Sequence, residues 1–447
     1  MSRMRTSVLG LARFLTVFGA VGALLLLGAV IFNGTVSALS TGRAEVGGNA
    51  LLRQGKQVFR FDTFGDQAFW GGALQLHKAI EGSANGGVGP GVSPKTALAV
   101  GLKVDATAIP PKIAAAIKAG KVDLNDPKTT LALLKLNAVI GVRGFFNKNG
   151  TLGSMGITCA LCHSSVDNSF APGIGRRLDG WPNQDLDVGK IVSLAPSLKP
   201  FTDLLGVDEA TVKKVLLSWG PGKFDAELSM DGKAFRPDGG SAASRIPPAF
   251  GLAGVNLATY TGWGTVTYWN AFVANLEMHG QGSFFDPRLD DATRFPVAAK
   301  ARFGHVRNSP DLITSKLGAL HLYQLSLAAP TPPKGSFDAA AAARGHTIFD
   351  GKGRCSSCHL PPLYTEPGYN LHKPTETCSD PFIAERSPTG MYRTTPLKGM
   401  FAKSKRGFGA DGAFPNLLAV MNHYDSCFKL GLTPQEKSDL VQFVKSR

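Results

Sequence analysis

Residues 159–163 read Cys-Ala-Leu-Cys-His, and residues 355–359 read Cys-Ser-Ser-Cys-His. Four of the six cysteines therefore sit in two copies of one five-residue pattern. In an exported chain this spacing is the attachment signature of c-type haem. The two thiols add to the two vinyl groups along one porphyrin edge, and the adjacent histidine reaches iron as the proximal ligand. A zinc site would want a second Cys or His pair close by, and a thioredoxin-like dithiol a βαβ context; the sequence offers neither. The expectation is two covalently bound haem c groups, one on Cys159, Cys162 and His163, the other on Cys355, Cys358 and His359.

The remaining cysteines, Cys378 and Cys427, both follow the second motif. In an oxidising compartment a disulfide is the simpler reading, and two free thiols the alternative. Export itself is read from the N-terminus. Arg3, Arg5 and Arg13 precede an uncharged apolar run over residues 14–32. Nineteen helical residues span about 28 Å, close to the ~30 Å hydrocarbon core. An uncleaved anchor is the leading reading; Val-Ser-Ala at 36–38 keeps a cleaved signal peptide open. Either way the expected location is the periplasmic side of a bacterial inner membrane, anchored, or the soluble periplasm if the segment is removed. The 48 Lys and Arg against 33 Asp and Glu give a formal charge of +15. The basic residues are scattered and not interleaved with aromatics, which argues against nucleic acid and leaves an acidic redox partner or anionic lipid.

These motifs need elements to hold them, and the pattern reads mostly α. Residues 1–40 form the signal-anchor, 41–150 a helical and loop extension, 151–330 a first haem domain and 337–447 a second. Ala-Ala-Pro-Thr-Pro-Pro-Lys-Gly-Ser (328–336) marks the clearest boundary. Residues 110–120, 129–142, 266–280 and 309–328 read as helical, and 81–96 as an irregular glycine-dense loop lacking a phosphate-cradling Gly-Lys-Ser/Thr. The last helix has Thr433 as N-cap, Pro434 at N1 and Glu436 at N3.

The second domain resembles a class I cytochrome c, whose first and last helices cross; here that pairs Gly345 and Phe349 with Leu440 and Phe443. From about 150 onward the chain resembles the bacterial dihaem cytochrome c peroxidases. It is also similar to the dihaem enzyme that matures methylamine dehydrogenase and, more distantly, to the dihaem rubber oxygenases. The matching stretches are 391–401 (Met-Tyr-Arg-Thr-Thr-Pro-Leu-Lys-Gly-Met-Phe), 407–412 and 416–425, with looser matches at 244–254 and 261–280. The resemblance puts the sixth iron ligand of the second haem at Tyr424, with His423 adjacent and Met421, Met391 and Met400 as thioether alternatives. Where the family has a histidine in Tyr-Phe-His-Asp-Gly, this chain has Ala410.

The resemblance further implies Trp263 as an inter-haem relay, Glu277 as a distal acid/base and a calcium ion between the haem domains. His279 either assists Glu277 or binds iron and closes the site. Trp263, Tyr268 and Trp269 offer an aromatic path for holes. Arg176 or Arg177 is the expected propionate partner. The implied activity is reduction of hydrogen peroxide, or another small oxidant, at the first haem. Electrons would enter at the second from a small redox protein or a quinol-linked donor. Two other functions stay open: a pure electron-transfer cytochrome with both irons six-coordinate, and an oxygenase or protein-modifying oxidase.

Overall fold

The helices Ala339–Asp350 and Pro434–Lys445 cross where Gly345 meets the other backbone. A Cβ at Gly345 would lie 2.1 Å from the Asp439 carbonyl oxygen and 2.9 Å from the Phe443 Cβ, so only glycine fits there. Asp338 caps the first helix by accepting the Ala341 N–H, and Thr433 and Glu436 form a full capping box on the second. Phe349 and Phe443, both sealed from solvent, pack with ring centroids 4.8 Å apart. Burying each is worth about 1.5–3 kcal/mol. Arg344 adds a two-pronged bond to Asp439 at 2.7 and 2.8 Å.

The computed structural model describes residues 47–447 of the 447. The apolar run 14–32 and the residues 36–38 lie outside that range. Among the described residues no helix is long and apolar enough to cross a membrane. Gly55–Arg447 form one compact unit, rich in short helices with small two-stranded sheets. One apolar core runs from Trp70 and Leu74 through Leu161 to Val215 and Ile246, across the boundary read at 150. A separate core around Phe349, Tyr364, Met421 and Phe443 underlies the C-terminal segment.

The strands depart from the sequence reading. Residues 129–142 do not form one helix. The helix Pro127–Lys135 ends early, and an antiparallel hairpin follows, Val142–Phe146 with Leu152–Ile157. Asn147 and Thr151 close its turn, with Gly150 at positive φ. The hairpin delivers the chain into the first cysteine motif. Its last N–H, on Ile157, is held by Asp66 Oδ2 at 3.1 Å. Asp66 is fully buried and its Oδ1 has no partner, so desolvation pushes its carboxyl up to about 9.

Because the folded chain holds that proton well above the ordinary carboxylate value of 3.8, stability present at low pH is lost as pH rises toward 9. Asp66→Asn should abolish this slope, which reaches about 1.4 kcal/mol per pH unit. Urea unfolding between pH 5 and 8 checks it; parallel profiles for both proteins would refute it.

Candidate functional site

The two cysteine motifs border two cavities, and His163 lies on the walls of both. Cys159 stands as N-cap of the short helix Ala160–His163, and a strand Ser164–Val166 leaves it to pair with Arg177–Asp179. Asp179 binds that turn to the rest of the fold, accepting from Arg60 and Tyr323 at 2.5 Å each and from Ser164 at 2.9 Å. The second motif opens with a 3₁₀ turn, Cys355–Ser357, entered through Arg354 at positive φ. The larger cavity, about 680 Å³, is bordered by Cys355, Cys358 and His359; the smaller, about 270 Å³ and largely apolar, by Cys159, Cys162 and His163.

The two histidines share one arrangement. His163 Nδ1 lies 3.0 Å from the Pro247 carbonyl, and His359 Nδ1 3.2 Å from the Tyr364 carbonyl. A carbonyl oxygen only accepts, so Nδ1 carries the proton and Nε2 keeps a free lone pair. Metal-binding imidazoles are oriented this way. Burial holds both rings neutral, down to about 4. It also pushes the thiols up: Cys159 and Cys162 to about 12, Cys355 to about 11. These are not activated thiolates of a redox dithiol.

A thioether-held porphyrin also brings two carboxylates that need counter-charge. The larger cavity supplies it. Arg245, Arg393 and Lys403 all border it, and none makes an ion pair among the described residues. Backbone carbonyls hold them instead. Arg245 donates to Gly409 and Lys403, Arg393 to Leu257 at 2.6 Å, and Lys403 to Pro396. The buried Arg393 Nε is left without a partner. Desolvation, with Arg245 and Arg393 nearby, lowers Lys403 to about 7. Unpaired buried cations of this kind suit an anionic ligand. Arg176 and Arg177 do not serve here, contrary to expectation. Arg176 is exposed beside Asp167, Arg177 is buried against Asp105, and neither borders a cavity. The short strand Arg177–Asp179 is held in register by Ser164–Val166, which leaves Arg177 against Asp105.

Of the sixth-ligand candidates, Tyr424, His423, Met421 and Met400 border the larger cavity and Met391 does not. All but Met400 lie on the helix Leu417–Phe428, capped by Asn416. His423 Nε2 is engaged by the Thr377 carbonyl at 2.9 Å, which leaves only Nδ1 free. Tyr424 stacks on Phe428, and burial raises its phenol pKa. Cys378 and Cys427 are joined as a disulfide, with Cα atoms 5.9 Å apart, tying the segment containing Thr377 to this helix. The Ala410 carbonyl accepts the Arg245 N–H at 2.8 Å.

Around the smaller cavity the expected residues separate. Glu277 borders it, at the end of the π-helical turn Val273–Glu277 that continues the helix Val266–Phe272. Such turns re-aim side chains and recur at functional sites. His279 is not on the wall; its ring stacks on Phe69 at 3.6 Å. Trp263 is buried and borders neither cavity, stacking on Trp269, which does reach the smaller one. The aromatic residue that borders both cavities is Tyr260, set between Arg245 and Arg393.

Sequence reasoning also missed a buried carboxyl group around Arg386, formed by Asp225, Glu227 and Asp231. No local pattern signals it, since Arg386 and Asp231 are 155 residues apart. It missed as well a trio beside the second cysteine motif: ligand atoms of Cys358, Glu366 and His372 lie within 4.8 Å of one another. Cys358 cannot be thioether and metal thiolate at once. Burial raises its thiol pKa, which favours the neutral form over a metal thiolate.

No family model and no curated protein matches the chain. Among the solved structures that match, two are weakly similar as follows. Hydrazine synthase of Kuenenia stuttgartiensis, pressurised with xenon, is 18% identical over 46% of this chain and 72% of its own, with a TM-score of 0.28. A MauG-like protein associated with microbial copper homeostasis is 14% identical over 49% and 76%, with a TM-score of 0.31. Scores this low do not establish a shared fold.

Proposed function

We propose that the chain is a dihaem c-type cytochrome that reduces hydrogen peroxide, acting on the periplasmic face of the membrane with residues 14–32 as its anchor. The observation that carries this reading is the matched setting of His163 and His359. Each is neutral, each is oriented by a backbone carbonyl on Nδ1, and each borders a cavity beside two uncharged thiols. Haem c bound at these positions would supply one-electron redox chemistry.

The chain's own residues do the rest. Cys159 and Cys162, and Cys355 and Cys358, tether the two groups. Arg245, Arg393 and Lys403 neutralise carboxylates. Glu277, on the smaller cavity's wall, donates a proton to a peroxide oxygen. It can do so because burial and the neighbouring Glu227 and Asp225 keep its carboxyl protonated well above the ordinary range. Tyr424 is the favoured ligand on the larger side, and Tyr260 takes the place between the cavities expected for Trp263. A small one-electron donor protein of acidic surface would match the +15 formal charge.

Absorption and EPR spectra of the loaded, full-length protein test this reading. A high-spin signal beside a low-spin one, with peroxide consumed by the reduced form, is the expected result. Two low-spin haems and no peroxide consumption would make the chain an electron conduit instead.

A further inference from the structure

Peroxide reduction breaks one O–O bond and forms two waters. It consumes two electrons, here from the outside donor, and two protons. Glu277 accounts for one proton at the smaller cavity. A second carboxyl, Glu227, stands on the same wall and is only 7% exposed. Glu227 belongs to a buried group with Asp225 and Asp231 around a single guanidinium, and Glu277 lies near enough to Glu227 and Asp225 to feel their charge. Arg386 gives Nε and Nη2 to Asp231 at 2.8 and 2.9 Å, and Nη1 to Asp225 at 2.9 Å and the Ala242 carbonyl at 3.1 Å. The second oxygen of Asp225, itself 2% exposed, has no partner. Neither glutamate makes an ion pair among the described residues; Glu277 has only the Ser229 hydroxyl, at 3.4 Å.

The charge count decides what this group holds. Asp225 and Asp231 take the donors of Arg386, and the two glutamates are left without a cation. Ionising all four acids against one guanidinium would enclose a large net negative charge in a medium of low dielectric, which costs several kcal/mol per unpaired ion. The other charged or titratable groups on that wall are Arg245, Tyr260, His163 and the thiols of Cys159 and Cys162. Arg245 is already held by the carbonyls of Gly409 and Lys403.

We propose that Glu227 is a second proton-exchanging residue of the smaller cavity. With Glu277 it supplies the two protons that peroxide reduction consumes, and Arg386 engages Asp225 and Asp231 beside them. This rests on the peroxidase reading above. Burial and like-charge neighbours raise both glutamates in support.

Infrared spectra of the loaded, full-length protein at pH 7 read the protonated carboxyl carbonyl directly. Glu227→Gln should remove part of that band and slow peroxide consumption about 10²-fold, the scale of a lost acid–base group. Glu227→Asp should shift the band rather than delete it, which keeps the test decisive if the glutamine variant does not fold. An unchanged band in both variants, with an unchanged rate, overturns the inference. Wild-type protein that consumes no peroxide, while Glu227→Gln still loses the band, overturns the peroxidase reading and leaves Glu227 as a proton holder.

Discussion

Arg386→Met should destabilise the full-length protein by about 3–5 kcal/mol, the range for removing one partner from a buried ion pair. Its guanidinium is fully enclosed and bonds Asp225, Asp231 and the Ala242 carbonyl at once. The thioether left behind is close in volume, so lost packing contributes little and uncompensated carboxylates contribute most. The sign of the pH dependence follows. Asp225 already sits at about 7 through burial, even beside the guanidinium. Without Arg386 its folded-state value rises further, so the folded chain binds protons that the unfolded chain releases. The deficit should be larger at pH 8 than at pH 5. Urea unfolding at both values tests this, and a loss below about 1 kcal/mol at pH 8 would remove Arg386 from any structural role.

Cys159→Ala combined with Cys162→Ala should leave one covalently held haem where the parent carries two. Cys355→Ala with Cys358→Ala should leave the other. On a denaturing gel the haem stain of either double variant should fall to about half, since on the proposed reading each thiol pair tethers one macrocycle independently. The two products should differ in kind. The chain retaining only Cys355 and Cys358 keeps Tyr424, Met421 and the three unpaired cations beside its porphyrin. The chain retaining only Cys159 and Cys162 keeps Glu277 and Glu227. Peroxide reactivity should therefore persist, without turnover from the donor, only in the latter. Equal pigment in the parent and both variants would show that the thiols do not hold the cofactor.

What could be read from the sequence divides along chain distance. The crossing of Ala339–Asp350 with Pro434–Lys445 was legible because its determinants are local. The glycine, the aromatic residues and the capping box each announce themselves within one turn. The cysteine motifs were legible for the same reason. The hairpin over residues 142–157 carried its own signal, Asn149-Gly150 in its turn, but its apolar run continues that of the preceding helix and was read together with it.

The cavity walls were legible only in part. The stretch 244–254 was singled out, yet nothing in it showed that Pro247 would orient His163 or that Arg245 would border both cavities. Arg176 and Arg177 sat closer in sequence to the first motif and drew the prediction away from Arg245. Trp263 drew it from Tyr260, since three residues of offset decide which aromatic ring reaches a wall. The Arg386 group was invisible, because buried charges attract partners from whatever segment can reach them.

That group has a consequence for the order in which the interior can close. While the chain is being made, Asp225, Glu227 and Asp231 emerge about 155 residues before the guanidinium that neutralises them. Until then their carboxylates are better served by water, so this part of the protein stays hydrated and open. Arrival of the C-terminal segment then brings the guanidinium that lets these carboxylates leave water.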